Sequence, residues 1–260
     1  MVADCGGEAE SGSGGPGGGL GKLTAFERNL RFLAMQNLKA LELVLRYGLG
    51  VAAAVYLLNQ VRKPAKWVGR PFLWIMNASH SSVTDWGLRH VQMEKDFTIL
   101  DVGCGGGRTI QKLAALATEG MVYGVDYAQG SVAASRGKNA RLIEAGRVEI
   151  KEGSVSQLPF PENKFNLVTA VETQYYWPDL VKDMQEILRV LKPGGTLMVI
   201  AESYRKGKYD KLQRPVMKFL GSANLGVDEQ RELFVTAGYT GVQIFEERSK
   251  GWICVMGKKA

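Results

Sequence analysis

The 260-residue sequence predicts an α/β protein: a largely parallel sheet with helices on both faces, plus an N-terminal helical extension. Three observations predict it. Residues 97–102 form an apolar strand-like run that ends in a glycine-rich turn and leads straight into a helical pattern, RTIQKLAALA. A second strand-like run, 121–126, ends in another acid. Beyond it, strand and helix patterns alternate, the arrangement that builds a parallel sheet covered on both sides.

The elements follow in order. Strands read at 97–102, 121–126, 147–152, 164–171, 195–201, 240–247 and 251–257, and helices near 107–118, 129–145, 179–191 and 228–238. Asp179, after Pro178, and Asp228, before EQRELF, each suit an N-cap. The last two strands read as a hairpin. The LKPGG turn at 191–195 links helix to strand at the far end of the sheet and is read as structural.

The turn DVGCGGG, 101–107, places four glycines in five positions, with Cys104 between them. Glycine permits positive φ and a close approach of backbone to ligand. A strand, a glycine turn and a helix together present backbone N–H groups to a nucleotide-like molecule at the carboxyl end of the sheet. Asp126 stands roughly twenty residues past the turn, where a ribose-binding carboxylate belongs. Two ligand classes fit such a turn. A dinucleotide site prefers glycine at the sixth position, which here is Arg108, and a carboxylate at Asp101 would repel a pyrophosphate. A ligand with a cationic amino-acid end, S-adenosylmethionine, would be drawn to Asp101.

Four motifs, DVGCGGG, GVD, SVSQLPFPENKFNLVTA and LRVLKPGGTLMV, occur in this order and spacing. Together they resemble the class I S-adenosylmethionine-dependent methyltransferases, and most of all the small-molecule type that includes the ubiquinone and menaquinone C-methyltransferases. The resemblance spans residues 97–259. It implies a Rossmann-like seven-stranded methyltransferase sheet with one antiparallel strand near its end. It also implies S-adenosyl-L-methionine as cofactor, S-adenosyl-L-homocysteine as product and a small-molecule methyl acceptor.

Site residues follow from strand ends and from the resemblance. Asp101, Gly103, Cys104, Gly105 and Gly107 come from the first strand and its turn. Asp126 is expected to hold the ribose hydroxyls and Tyr127 to lie against adenine. Ser154 and Val155 follow the third strand; many relatives carry aspartate at the place of Ser154, so only its backbone or hydroxyl is left to serve. Glu172, at the tip of the fourth strand, is assigned to the cofactor or the acceptor. Tyr175, Tyr176 and Trp177 are expected either to wall the acceptor site, where ring faces attract a cation, or to pack in the core. Trp86 joins them from a segment placed as a lid. His80, Glu172 and Glu202 are the candidate bases. No metal site is expected, and Cys104 reads as a small residue beside the cofactor rather than a nucleophile.

The domain boundaries are read at 1–22, a Gly/Ser-rich tail; 23–63, helical; 64–95, a helical lid or a brace on the sheet; and 96–260, the catalytic domain. Residues 43–58 are uncharged apart from Arg46, a run of sixteen, shorter than the roughly twenty that span a bilayer. Residues 38–61 are therefore expected to touch a membrane peripherally or to pack on the catalytic domain. The tail has neither the basic start nor the apolar core of a secretory signal, so the protein is expected in the cytoplasm, with membrane association through that segment. The net charge of +7 is dispersed, which favours solubility over a nucleic-acid surface, and no RNA-binding module is present. Three cysteines without zinc-ligand spacing predict no disulfide framework. The alternative to an enzyme is a silent scaffold that binds S-adenosylmethionine or S-adenosylhomocysteine; a nicotinamide-dependent reductase is disfavoured by Asp101 and Arg108.

Overall fold

The computed structural model describes residues 80–219 and 222–260. The tail, the segment 38–61 and the first part of the lid fall outside the described residues. Among those described, no helix is long and apolar enough to cross a membrane.

The described residues open with helix α1, Ser81–Leu88, then strand β1, Thr98–Val102, and helix α2, Arg108–Leu116. Strand β2, Met121–Asp126, is followed by α3, Gln129–Lys138, and the short α4, Ala140–Glu144. Strands β3, Val148–Glu152, and β4, Phe165–Val171, come next, then a single 3₁₀ turn, Gln174–Tyr176. Helix α5, Leu180–Val190, runs into β5, Leu191–Ala201. Helices α6, Asp210–Phe219, and α7, Val227–Thr236, precede β6, Thr240–Glu247, and β7, Trp252–Lys258.

All seven strands form one sheet in the order β3-β2-β1-β4-β5-β7-β6. Strand β7 is antiparallel to both β5 and β6, and so is the one reversed strand. The order turns back between β1 and β4, which places a crevice beyond the carboxyl ends of those strands. Strand β1 is buried along nearly its whole length, as a central parallel strand covered on both faces must be. Its alternate residues feed two separate cores. Leu100 and Val102 join Phe165, Ile187 and Phe234 on one face. Ile99 joins Ile110, Leu113 and Val83 on the other.

Helix α2 buries Ile110, Leu113 and Ala114, the i, i+3, i+4 stripe of an amphipathic helix. Helix α5 buries Met184, Ile187 and Val190. Its predicted cap holds: the Asp179 carboxylate accepts the N–H of Lys182 at 3.2 Å.

Four expectations need correction. The long helix expected over 129–145 breaks at Asn139, whose amide donates to the carbonyls of Gly107 and Ser135 at 3.0 and 2.9 Å. Asp228 lies inside α7; the cap is Gly226, whose N–H donates to Glu229 at 2.7 Å. Strand β5 starts four residues early, because Leu191 already pairs with Phe165 before the register shifts. Helix α6 was not expected. It is fixed by Asp210, which is 4% exposed and accepts bonds from Arg214, the Lys206 N–H and Asn224.

Candidate active site

The glycine turn is fastened to its neighbour strand. Gly103 and Cys104 donate their N–H groups to the Val125 carbonyl at 2.8 and 3.1 Å. Gly103, with φ 72°, also leaves no room: a β-carbon there would lie 2.4 Å from Thr173 Cγ2. Gly105, with φ 49°, is different. The nearest atom a β-carbon would meet is 4.0 Å away, so the space over it is open. Gly103 is thus required by packing, and Gly105 leaves its backbone bare to the cleft.

That cleft is lined by His80, Ser81, Thr84, Asp101, Gly103, Cys104, Gly105, Gly106, Arg108, Thr109, Lys112, Val171, Glu172 and Thr173. It lies where the switch point of the sheet puts a ligand. It brings together six of the residues singled out in the sequence: His80, Asp101, Gly103, Cys104, Gly105 and Glu172.

Asp101 is 2% exposed and pairs in register with Thr169 of β4, whose hydroxyl donates to its carboxyl at 2.8 Å. Burial pushes this carboxyl up to about 7; the Thr169 hydroxyl opposes the rise and the charge of Asp126 adds to it. A cation brought to Asp101 would restore the ionised form.

Asp126 stands behind the turn rather than in the cleft lining. One oxygen accepts the Gly105 N–H at 3.0 Å, the other the Ala128 N–H at 2.8 Å. Burial raises its pKa, opposed by those two N–H groups and the Ser131 hydroxyl. Each carboxylate oxygen carries two lone pairs, so the two bonds do not exhaust its accepting capacity. Tyr127, beside it, is 46% exposed.

Three ionisable groups meet at the cleft, two of them, His80 and Glu172, in its lining. Glu172 has φ 58°, a strained value for a residue with a β-carbon. Its carboxylate accepts the N–H of Glu202. Burial pushes the Glu172 carboxyl up to about 8, and the Glu202 charge adds to this; the Glu202 N–H and the Tyr175 hydroxyl oppose it. Glu202 is raised by burial as well. The Nε2 of His80 lies 3.8 Å from Glu202 Oε2. Burial holds the imidazole down to about 4, so it is neutral at pH 7 and the contact is not an ion pair. The three candidate bases therefore form one cluster, and the sequence alone did not group them.

Other residues stand elsewhere. Cys104 contributes backbone to the cleft, but its Sγ packs 3.8 Å from the Ser135 hydroxyl, and burial pushes its thiol far up. That is the inert state of a buried cysteine. Gly107 lies outside the lining, with its carbonyl held by Asn139. Val155 is core, and Ser154 is exposed with its hydroxyl accepting the Ser156 N–H at 3.2 Å.

Of the two roles open to Tyr175, Tyr176 and Trp177, wall or core, core packing is the one seen. Tyr175 is 6% exposed, and its hydroxyl donates to the Ser203 carbonyl at 3.0 Å, so it anchors the core. Tyr176 and Trp177 pack against that same core. Trp86 lies 4.9 Å from the His90 ring and 5.9 Å from Trp252, ring centre to ring centre, on the face of α1 that braces the sheet. None of the four lines the cleft. Helix α1 is a brace whose first turn, with Ser81 and Thr84, also rims the cleft. Lys112 fastens it there: its Nζ bonds the Ser81 carbonyl and hydroxyl at 2.8 and 2.9 Å and pairs with Asp85.

Thr169, Thr173 and Lys112 were not singled out in the sequence. Threonine in a strand reads as ordinary β propensity, and a helix lysine as solvated surface. Only the pairing of Asp101 with Thr169 gives the first of them a role.

This is a doubly wound α/β protein with a glycine-turn cleft lined by a buried acid, Asp101. Residues 100–199 match a family described as a methyltransferase domain. A demethylmenaquinone methyltransferase from Listeria monocytogenes is 28% identical over 186 residues, covering 60% of this chain and 75% of that protein. One from Geobacillus stearothermophilus is 29% identical over 188 residues, covering 60% and 76%. A solved S-adenosylmethionine-dependent methyltransferase from Aquifex aeolicus superposes with a TM-score of 0.57 at 22% identity, covering 68% of this chain and 89% of that one. A geranyl diphosphate C-methyltransferase from Streptomyces coelicolor, solved with Mg2+, geranyl diphosphate and S-adenosyl-L-homocysteine, gives 0.57 at 15%, covering 69% and 79%. These two establish likeness of fold. Residues 100–199 thus carry a methyltransferase domain, the enzyme is S-adenosylmethionine-dependent, and S-adenosylmethionine is its cofactor.

Proposed function

We propose that the protein transfers a methyl group to a small, apolar or planar acceptor. The open space over Gly105 and the buried carboxyl of Asp101 in the same cleft fit the cofactor's amino-acid end. Asp101 would hold its ammonium. The N-terminus of α2, with Arg108, suits its carboxylate, since helix N-termini favour anions. Asp126 would take the ribose hydroxyls, Tyr127 the adenine face, and the backbone at Ser154 and Val155 the adenine edge. When bound, the cofactor supplies a sulfonium methyl, whose carbon bonds to the acceptor atom as the S–C electron pair returns to sulfur.

The chain itself supplies position and a proton acceptor. Holding two reactants in line is worth up to about 7–11 kcal/mol in intramolecular analogues. If the acceptor atom carries a proton, His80 is neutral and can accept it, with Glu202 beside it to favour the imidazolium. Glu172, pushed up to about 8, is protonated at pH 7 and serves better as a donor than as a base.

The observation that carries this reading is the placement of the His80, Glu172 and Glu202 cluster at the cleft that Asp101 also lines. The names of the relatives, demethylmenaquinone methyltransferases, support a planar ring as acceptor. The test is incubation with methyl-labelled S-adenosylmethionine and a set of quinols, phenols and prenyl compounds. Labelled product together with equimolar S-adenosylhomocysteine supports methyl transfer. Binding of the cofactor without label transfer to any acceptor would favour a silent scaffold instead.

A further inference from the structure

A second hollow is lined by a member of the ionisable cluster, Glu202. It is a groove of about 350 Å³ lined by Glu202, Lys208, Tyr209, Lys250 and Trp252. That is the size range of small-molecule sites. Glu202 joins it to the cleft: its N–H is held by Glu172 and its carboxylate lies 3.8 Å from His80, and both of those residues line the cleft. The cluster thus borders two hollows, one suited to a methyl donor and one with no assigned occupant.

The lining says what that occupant is. Trp252 and Tyr209 supply aromatic walls, with the Lys250 ammonium over the Trp252 ring at 4.3 Å and the Lys208 ammonium over the Tyr209 ring at 5.2 Å. Lys208 donates to the Ser249 carbonyl at 2.7 Å, which leaves two of its three N–H groups. The half-buried Glu247 is an acid whose charge reaches Lys250. The wall is built closely: Gly251, with φ 74°, could not carry a β-carbon without meeting Lys208 and the Tyr209 ring at 3.2 Å. The larger charged hollow nearby differs, because its arginines Arg205 and Arg248 are each paired with a glutamate, Glu229 and Glu246.

We propose that this groove is the acceptor site, and that the acceptor is a planar ring system bearing an anionic group. The ring packs against the edges of Trp252 and Tyr209, the anion meets the Lys250 and Lys208 ammoniums that sit over those two rings, and the reacting atom faces Glu202 and His80. Trp86, which stands behind Trp252, acts by holding that ring in place. This inference rests on the methyl-transfer reading.

The test is ligand-observed NMR titration of the full chain with 1-naphthoate and its uncharged counterpart 1-naphthylmethanol, in the wild type, Lys208→Met, Lys250→Met and Trp252→Leu. Naphthoate is expected to bind about tenfold tighter than the alcohol. Each lysine substitution should remove several-fold of naphthoate affinity and leave the alcohol unchanged, whereas Trp252→Leu should weaken both. Calorimetric affinity for S-adenosylmethionine should be the same in all four proteins, which also shows that the variants are folded. Equal binding of the two probes, or lysine variants that bind naphthoate as the wild type does, would overturn the proposal. Failure of the wild type to bind S-adenosylmethionine would instead sink the methyl-transfer reading, independently of the probe result.

Discussion

The carboxylate of Asp126 accepts the backbone N–H of Gly105 at 3.0 Å, so the acid at the end of the second strand holds the middle of the glycine turn in shape. Its other oxygen holds the Ala128 N–H. One side chain thus fixes the backbone of the turn and, on the proposed reading, also binds the cofactor ribose. Asp126→Ala should therefore lower two quantities together. Loss of the acceptor for two N–H groups should cost about 1–3 kcal/mol of stability, read as a shift of the urea midpoint. Affinity for S-adenosylmethionine should fall at least about tenfold. A variant as stable as the wild type would show that the carboxylate is dispensable to the turn.

Gly103 and Gly105 share positive φ but differ in surroundings, and alanine should tell them apart. Both substitutions incur roughly 1–2 kcal/mol for a left-handed residue. At Gly103 the new methyl also collides with Thr173, so Gly103→Ala should be the less stable protein. At Gly105 the methyl enters open cleft space, so Gly105→Ala should lose cofactor affinity beyond its loss of stability. Thermal melts with and without cofactor check this: Gly105→Ala should show the smaller ligand-induced shift. Equal shifts would mean the cleft is not where the cofactor lies.

Glu172 makes stability depend on pH in a predictable direction. Its ordinary value is 4.5 and its folded value about 8. Below 4.5 the carboxyl is protonated in both states and adds nothing to the pH dependence. Between 4.5 and 8 the unfolded chain ionises while the folded one holds its proton, so stability falls as pH rises; above 8 the loss is complete. Glu172→Gln removes this dependence and keeps an oxygen for the Glu202 N–H. The gap in urea midpoint between variant and wild type should move in favour of the variant from pH 5 to pH 8. A gap that stays constant would place the Glu172 carboxyl in water.

Tyr175 separates the wall from the anchor. Its hydroxyl donates to the Ser203 carbonyl and accepts the Ser203 N–H at 3.2 Å. Tyr175→Phe should cost about 1 kcal/mol or somewhat more in chemical denaturation and leave cofactor affinity unchanged. A large loss of affinity at unchanged stability would return Tyr175 to the cleft.

Much of this was legible in the sequence, and the misses have physical causes. The 121–126 strand was read to the residue because it is an apolar run closed by an acid, and 240–247 because turn residues bound it. The glycine turn announced the cleft. The break at Asn139 was not legible, because it depends on a carbonyl thirty-two residues away at Gly107. Helix α6 was hidden by the basic RKGKYDK run and by Pro215, which reads as a helix breaker. The aromatic run 175–177 was visible, but which way the rings turn depends on the 3₁₀ turn that follows β4. The proximity of His80 to Glu202 joins residues far apart in sequence, and no local pattern reports it.

On the proposed reading, Asp101 is the buried anion that receives the ammonium of the cofactor's amino-acid end. Asp101, up to about 7, is largely protonated near pH 6.5 and must lose its proton to meet a cation. The direct measurement is isothermal titration of S-adenosylmethionine at about pH 6.5 in two buffers of different ionisation enthalpy, on the wild type and Asp101→Asn. Proton release is expected in the wild type and none in the variant, with affinity lower by about tenfold or more in the variant. Equal affinities with buffer-independent heats would contradict it.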